Sequence, residues 1–548
     1  MAAAVVLGAT FAILPSAAPT AVAAAPARAG APVPTPTLTT PPVGLKGFPL
    51  WDSYSDLADL GYEEQEYFVS GTAVDAQGGA AGYTTRIIVT RPIDAADFNG
   101  TVLLDWVNVT AQFENAVDSL EGRQLLLRDG YAVVHVSAQA AGLDGNPLTP
   151  KQWDPVRYAA ISHPGDDFSF DMFSQVAQAF RSPASPGSLD PMGDLGVGSV
   201  EHVLGAGQSQ SALRLRDYID EWLPSHPSAV GLIDGALVHG DVGAAKPFDN
   251  PLSLKVLNLL SDLEAKDDGF DLAAADPSYR LWEVAGAGHS DYWIGHQSVA
   301  GHGPRVLTGA PKQDDAEYAA TLLAAGNYGE RVEPELLVCT VAGSAMPMHY
   351  AVSSAIHQLH RWVAGGEPPD NGPRFEFEGG ALAKDADGNS KGGIRLPPIE
   401  VPVARYESTA CELGGITVPF TDAQLAERYG THAVYYDQMA KATDAAVAGG
   451  WILPPDAIDL MARACAAKVR FPDADRACPA YAPPAYDHPL ARPVADAAGA
   501  AGPRAAAVPA STGALPATGG PASGTTSVAL AGVALLLGLA LRAARAPR

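Results

Sequence analysis

The chain has 548 residues, a formal net charge of -26, 47% hydrophobic residues and 18% charged residues. That length admits one large domain with insertions or two domains, and the composition is that of a globular protein, not a disordered one. With acidic groups in such excess nothing is left to neutralise phosphates, which argues against a nucleic-acid partner and fits a soluble, extracellular protein.

In chain order, Ala2 to Leu14 is an apolar run, followed by Pro15 and by the small-residue pattern Ala21-Val22-Ala23, so residues 1–23 read as a secretion signal. Residues 24–45, rich in Ala, Pro and Thr, read as a flexible leader. Glu66 to Val74 and Thr84 to Thr90 are expected as two strands joined by the glycine-rich turn at Gly78 to Gly82, hence a hairpin. Thr101 to Val107 and Tyr131 to Ser137 are apolar strands with helical material around Ala116 to Arg128 between them, which calls for a parallel sheet. Ser199 to Gly205 leads into a helix expected over Ala212 to Trp222, and Ile233 to His239, Leu254 to Leu260 and Tyr279 to Val284 follow as strands. The expected fold is therefore α/β: a mostly parallel eight-stranded sheet, helices on both faces, its first pair antiparallel.

The junction after the fifth strand carries the chemistry. In Gly207-Gln208-Ser209-Gln210-Ser211 an apolar strand meets small residues, a serine and a helical pattern, the layout of a nucleophile elbow that lifts a serine hydroxyl above the carboxyl edge of a sheet. The usual elbow is Gly-x-Ser-x-Gly, and Ser211 stands in place of the second glycine. A serine hydroxyl attacks poorly unless a histidine takes its proton and a carboxylate orients that histidine. On this fold the order is serine, acid, histidine, each at the end of its strand. In hydrolases that this layout resembles, the usual acid lies three residues beyond a small residue that ends the strand, which after Ser261 makes Glu264 the favoured acid; Asp262 is its close rival and Asp241 a third choice. His289, in the glycine-rich loop Ala285-Gly286-Ala287-Gly288-His289, is the favoured base over His349, which opens a helix carrying His357 and His360. The oxyanion donors expected are the amide of Gln210 and one near Asn108 and Val109 in the loop after the third strand.

Of the four cysteines, Cys339, Cys411, Cys465 and Cys478, none forms a Cys-x-x-Cys, so no metal site is expected, and no nucleotide or flavin cofactor either. An even number suits an oxidising compartment, and Cys465 with Cys478 is the expected local bridge. Residues 46–375 read as the catalytic core with insertions, 376–482 as an α-rich cap or flank of the same unit, and 483–514, rich in Pro and Ala, as a spacer.

Residues 515–548 close the chain with Leu515, Pro516, Ala517, Thr518, Gly519 and Gly520, an apolar run from Val528 to Leu541, and Arg542, Arg545 and Arg548. This order resembles the LPXTG-type sorting signal of Gram-positive surface proteins. The resemblance implies that a sortase cuts between threonine and glycine and joins the protein covalently to cell-wall peptidoglycan, after a transient membrane-held precursor.

Between roughly Tyr62 and Pro455 the chain resembles the bacterial "alpha/beta hydrolase domain" proteins whose elbow reads Gly-x-Ser-Gln-Ser. The likeness lies in Tyr83-Thr84-Thr85-Arg86-Ile87, Asp105-Trp106-Val107-Asn108-Val109, Ser162-His163-Pro164-Gly165-Asp166, Gly207-Gln208-Ser209-Gln210-Ser211, Glu283-Val284-Ala285-Gly286 and Arg361-Trp362-Val363. It implies an α/β-hydrolase fold, the serine, acid and histidine assigned above, and a place for Ser162 to Asp166 bordering the site. Gln208 stands where such proteins frequently have a glutamate. The expected activity is that of a secreted, wall-anchored serine hydrolase acting on carboxylic esters, small or glycan-linked. The competing reading is an adhesion or ligand-binding protein on a retired hydrolase fold.

Overall fold

The computed structural model describes residues 32–485, apart from 54–56, 183–184, 242–248, 268, 270–271, 273–275, 299, 326–343 and 411–412. The secretion signal, most of the spacer, the sorting signal, Cys339 and Cys411 lie outside the described residues. Among the described residues no helix is long and apolar enough to cross a membrane.

A nine-stranded sheet runs through the molecule: β1 (Thr37–Thr39), β2 (Tyr62–Val74), β3 (Ala80–Pro92), β4 (Thr101–Trp106), β5 (Ala132–Val136), β6 (His202–Gln208), β7 (Gly235–His239), β8 (Lys255–Ser261) and β9 (Tyr279–Val284), in the spatial order β1-β2-β3-β5-β4-β6-β7-β8-β9. β2 and β3 form the expected hairpin, longer than the sequence pattern indicates, and β3 pairs antiparallel with β5. From β5 to β9 every pairing is parallel. Each of these crossovers needs a helix on one face or the other, and the strands accordingly read as apolar runs instead of alternating ones. Every residue of β4, β5 and β7 is buried.

Three corrections concern boundaries. The ninth strand comes from the segment 24–45 expected as leader: Thr37-Leu38-Thr39 has the polar-apolar-polar alternation of an edge strand, buries Leu38, and pairs antiparallel with Phe68 to Ser70. The strand before the elbow is His202–Gln208, not Ser199 to Gly205, because Val197–Ser199 forms a 3-10 turn first. The helix after it starts earlier than expected, at Gln210, and gives way to a π turn at Tyr218–Trp222. Strand and helix thus meet directly at Ser209.

Alternation along the strands divides the interior into two cores. Leu103, Leu204, Leu237, Leu257 and Val284 face the buried helix Met348–Val363. Val102, Leu104, Val203, Ala236 and Val238 face the helices Ser169–Ala179 and Gln210–Asp217. The helices His432–Ala448 and Pro454–Ala466 add Tyr435, Met439, Leu460 and Met461 to the first core, so the C-terminal flank shares its hydrophobic interior with the sheet. Cys465 and Cys478 are joined, with Cα atoms 5.8 Å apart, as their short spacing leads one to expect. Ile394 extends the sheet past β9: it bridges Val284 in parallel, and its carbonyl accepts the Ala285 N–H at 3.0 Å.

Candidate active site

Ser209 has φ 61° and ψ -116°, a conformation a side-chain-bearing residue adopts only where its surroundings impose it. Here the imposed turn is between β6 and the helix Gln210–Asp217, and the Ser209 N–H is held by the carbonyl of His239 on the neighbouring strand at 2.8 Å. The turn is tight enough that a Cβ on Gly207 would sit 2.7 Å from the carbonyl oxygen of Ser211, so glycine is required there. The serine at 211 is accommodated for a different reason. It is fully buried, and its hydroxyl donates to the carbonyl of Gln208 at 2.9 Å, closing the elbow with a hydrogen bond where a glycine would leave that interaction unmade.

The acid and the histidine come together. His289 Nδ1 lies 2.5 Å from Glu264 Oε1, with both residues buried. The other carboxylate oxygen, Oε2, accepts from the Ser261 N–H and the Ser261 hydroxyl, each at 2.7 Å. Burial works to raise the Glu264 pKa, but the adjacent His289 and the Ser261 donors outweigh it and hold the carboxyl below its ordinary value. Glu264 is therefore ionised, and an ionised carboxylate at Nδ1 fixes the tautomer that leaves Nε2 free as a base.

The rival residues are committed elsewhere. Asp262 accepts from the Gly286 N–H at 3.1 Å, from the Ser390 hydroxyl at 2.5 Å and from the Ser408 hydroxyl, tying the acid turn to the C-terminal flank. Asp241 pairs with Arg216 Nη1 at 2.9 Å. His349 is bonded to Asp291 at 2.7 Å and stacks on Trp293, with ring centroids 5.2 Å apart.

Gln210 is the first residue of the helix after the elbow, where an N–H has no intrahelical acceptor. Its side chain donates to Gln139 Oε1 at 3.0 Å, and Gln139 Nε2 donates to Asp166 at 2.9 Å. Ser162 to Asp166 is thereby linked to the elbow through one side chain. Asn108 departs from the expected role: its own N–H donates to Asn115 O at 2.8 Å, and its side-chain amide to Gln208 O at 2.9 Å. The Asn108 backbone is spent on closing the 108–115 loop, so the neighbouring N–H of Val109 is the candidate donor from this loop.

Two residues at the site, Gln139 and His239, were not singled out from sequence, and a third, Gln208, was noted only as standing where a glutamate is frequent. Gln139 joins the elbow to Asp166, as described. Gln208 donates through Nε2 to the His289 carbonyl at 3.0 Å. His239, whose carbonyl receives the Ser209 N–H, holds Asp118 at 2.9 Å beneath the site. The position of His239 at the end of a parallel strand was the available signal for it, and the departure from glutamate was the signal at Gln208; Gln139 leaves none, since a buried amide looks like any surface one in sequence.

A family model described as alpha/beta hydrolase domain matches residues 31–462. The chain belongs to the alpha/beta hydrolase domain family. No curated protein matches it in sequence. Among solved structures, this alpha/beta hydrolase is loosely similar to the Pyrococcus furiosus esterase Pf2001, at 13% identity and a TM-score of 0.23, over 42% of this chain and 85% of that one. A glucuronoyl esterase from Teredinibacter turnerae T7901 matches at 11% identity and a TM-score of 0.22, over 42% of this chain and 62% of that one. The rice cell wall degrading esterase LipA from Xanthomonas oryzae matches at 15% identity and a TM-score of 0.21, over 37% and 49% of the two chains.

Proposed function

We propose that the protein is a serine hydrolase that cleaves carboxylic esters through Ser209, His289 and Glu264. The single observation that carries this reading is the conjunction of a strained serine at a strand-to-helix turn with a buried histidine whose Nδ1 is 2.5 Å from a carboxylate. In the proposed reaction Ser209 Oγ bonds to the ester carbonyl carbon while its proton passes to His289 Nε2, and Glu264 stabilises the imidazolium. The N–H groups of Gln210 and Val109 hold the oxyanion. Collapse breaks the bond to the alkoxy oxygen, which leaves as the alcohol with the proton from His289. Water then adds to the acyl-enzyme, again giving its proton to His289, and releases the acid and free Ser209.

Export and wall attachment belong to the same proposal, supported by the apolar N-terminal run and by Leu515 to Gly519 ahead of an apolar tail and terminal arginines. Substrates at the cell surface would be small esters or esters on glycans. Purified protein is assayed on 4-nitrophenyl esters of increasing acyl length and on acetylated and feruloylated glycans. Turnover by the wild type and its loss in Ser209→Ala support the reading; equal turnover by the two overturns it.

A further inference from the structure

Gln208 ends β6 and is almost fully buried, although an unpaired carboxamide in such a place is costly. Its amide is not idle: Nε2 donates at 3.0 Å to the main-chain carbonyl of His289, a residue 81 positions later. Its own carbonyl accepts from Asn108 Nδ2 and from the Ser211 hydroxyl, both at 2.9 Å, so the residue is held from two further directions. Gly240, at φ +63°, completes the arrangement from below: a Cβ there would lie 3.0 Å from His289 Cε1, 3.2 Å from Nδ1 and 3.4 Å from Gln208 Nε2. Imidazole and amide therefore share one bare patch of backbone.

The hydrogen bond that the Nδ1–H donates to Glu264 defines a pivot about which the imidazole can still swing. A second restraint on the backbone of the same residue removes that freedom. Only a donor can bind a carbonyl, and among side chains of this length the carboxamide donates without bringing charge beside the imidazole. A carboxylate at position 208 would face the His289 carbonyl as acceptor against acceptor.

We propose that Gln208 is a positioning residue for His289, locking the loop of the base to the strand of the nucleophile. The proposal rests on the Ser209 and His289 reading above. Its chemical content is that in this chain the side chain before the nucleophile acts on the His289 carbonyl as a hydrogen-bond donor, where the glutamate frequent in similar proteins would do so only when protonated.

The test compares Gln208→Met, which keeps length and loses the donor, with Gln208→Glu, which donates only when protonated. In Gln208→Met, kcat falls about tenfold to a hundredfold with KM unchanged, as expected for a base displaced by a fraction of an ångström. The ratio of Gln208→Glu to wild-type kcat falls as pH rises through ionisation of the new carboxyl, whereas the Gln208→Met ratio stays flat. Hydrogen–deuterium exchange on the full chain is faster in Gln208→Met across residues 285–291. A wild-type kcat in Gln208→Met, a flat ratio in Gln208→Glu, or unchanged exchange at 285–291 overturns the proposal. If the folded wild type turns over no ester, the triad reading fails, and the exchange across His289 still decides on its own whether the lock exists.

Discussion

Glu264 and Asp262 leave the same turn two residues apart, yet Glu264 alone reaches the imidazole of His289, at 2.5 Å, while Asp262 turns to Gly286, Ser390 and Ser408. One carboxylate orients the proposed base; its neighbour fastens the C-terminal flank.

Substitution separates these two roles. Glu264→Gln keeps the shape but removes the charge that supports the imidazolium, and kcat is expected to fall on the order of a thousandfold or more with KM little changed. Asp262→Asn weakens the bonds to Ser390 and Ser408, lowers the melting temperature and leaves kcat within about threefold of wild type, since it touches no reacting atom. Steady-state kinetics and thermal melts on both variants check the assignment.

The elbow makes opposite predictions at its two small residues. Gly207→Ala places a methyl 2.7 Å from the Ser211 carbonyl oxygen, where no side chain can yield, because the obstacle is backbone. Overpacking of this kind costs about 1–3 kcal/mol, and the displaced turn carries Ser209 with it, so stability and kcat fall together. Ser211→Gly restores the commoner elbow and loses only one hydroxyl-to-carbonyl bond, about 1 kcal/mol, with kcat close to wild type. Denaturant unfolding and ester turnover distinguish the pair.

Much of this site is legible in the sequence because the fold imposes an order on it. Strand, elbow and helix around Ser209, then a strand ending before Glu264, then one ending before His289, all follow from apolar runs punctuated by small residues. What sequence does not reveal is how close alternatives divide. Glu264 and Asp262 are both carboxylates in one turn, with Glu264 favoured, and what divides them in the fold is the contact of Glu264 with His289 and the hold of Ser390 and Ser408, more than a hundred residues later, on Asp262. Asn108 fails as a backbone donor because Asn115 folds back onto it, a loop closure with no periodic signature. The edge strand at Thr37–Thr39 escapes notice for a similar reason: its alternation spans only three residues, too few to stand out within a proline-rich stretch.

Arg86 is a structural counterpart to the site. It is buried at 1% exposure and pairs with Glu66 at 2.7 Å and with Glu114, while also donating to the carbonyl of Leu50 at 2.9 Å. Arg86→Met leaves the buried Glu114 without its cation and Glu66 with Arg157 alone, and a loss of about 3–5 kcal/mol is expected in equilibrium unfolding. A loss below about 1 kcal/mol would show that water or relaxation compensates the carboxylates.

Buried acids give the stability a direction in pH. Burial, with Asp118 beside it, pushes Asp105 up to about 8; burial pushes Asp52 up to about 6; burial and the nearby Asp52 push Glu64 up to about 7. In each case the folded state keeps a proton that the unfolded chain releases above about pH 4. Their contribution is full below that value and is lost as pH rises through 6, 7 and 8. Glu264, held below its ordinary value, acts in the opposite sense and only at lower pH. Melting temperatures measured between about pH 5 and pH 8 are expected to fall with rising pH, and Asp105→Asn with Glu64→Gln flattens the slope.

The central claim is that Ser209 is a nucleophile activated by His289. Intact-mass and peptide analysis after treatment with a fluorophosphonate probe reads this directly, because the serine oxygen displaces fluoride and retains the phosphonyl group. The account predicts one adduct per chain, located on Ser209, absent in Ser209→Ala and strongly slowed in His289→Ala. A folded wild-type protein that takes up no probe, or that carries the adduct on another serine, would contradict it.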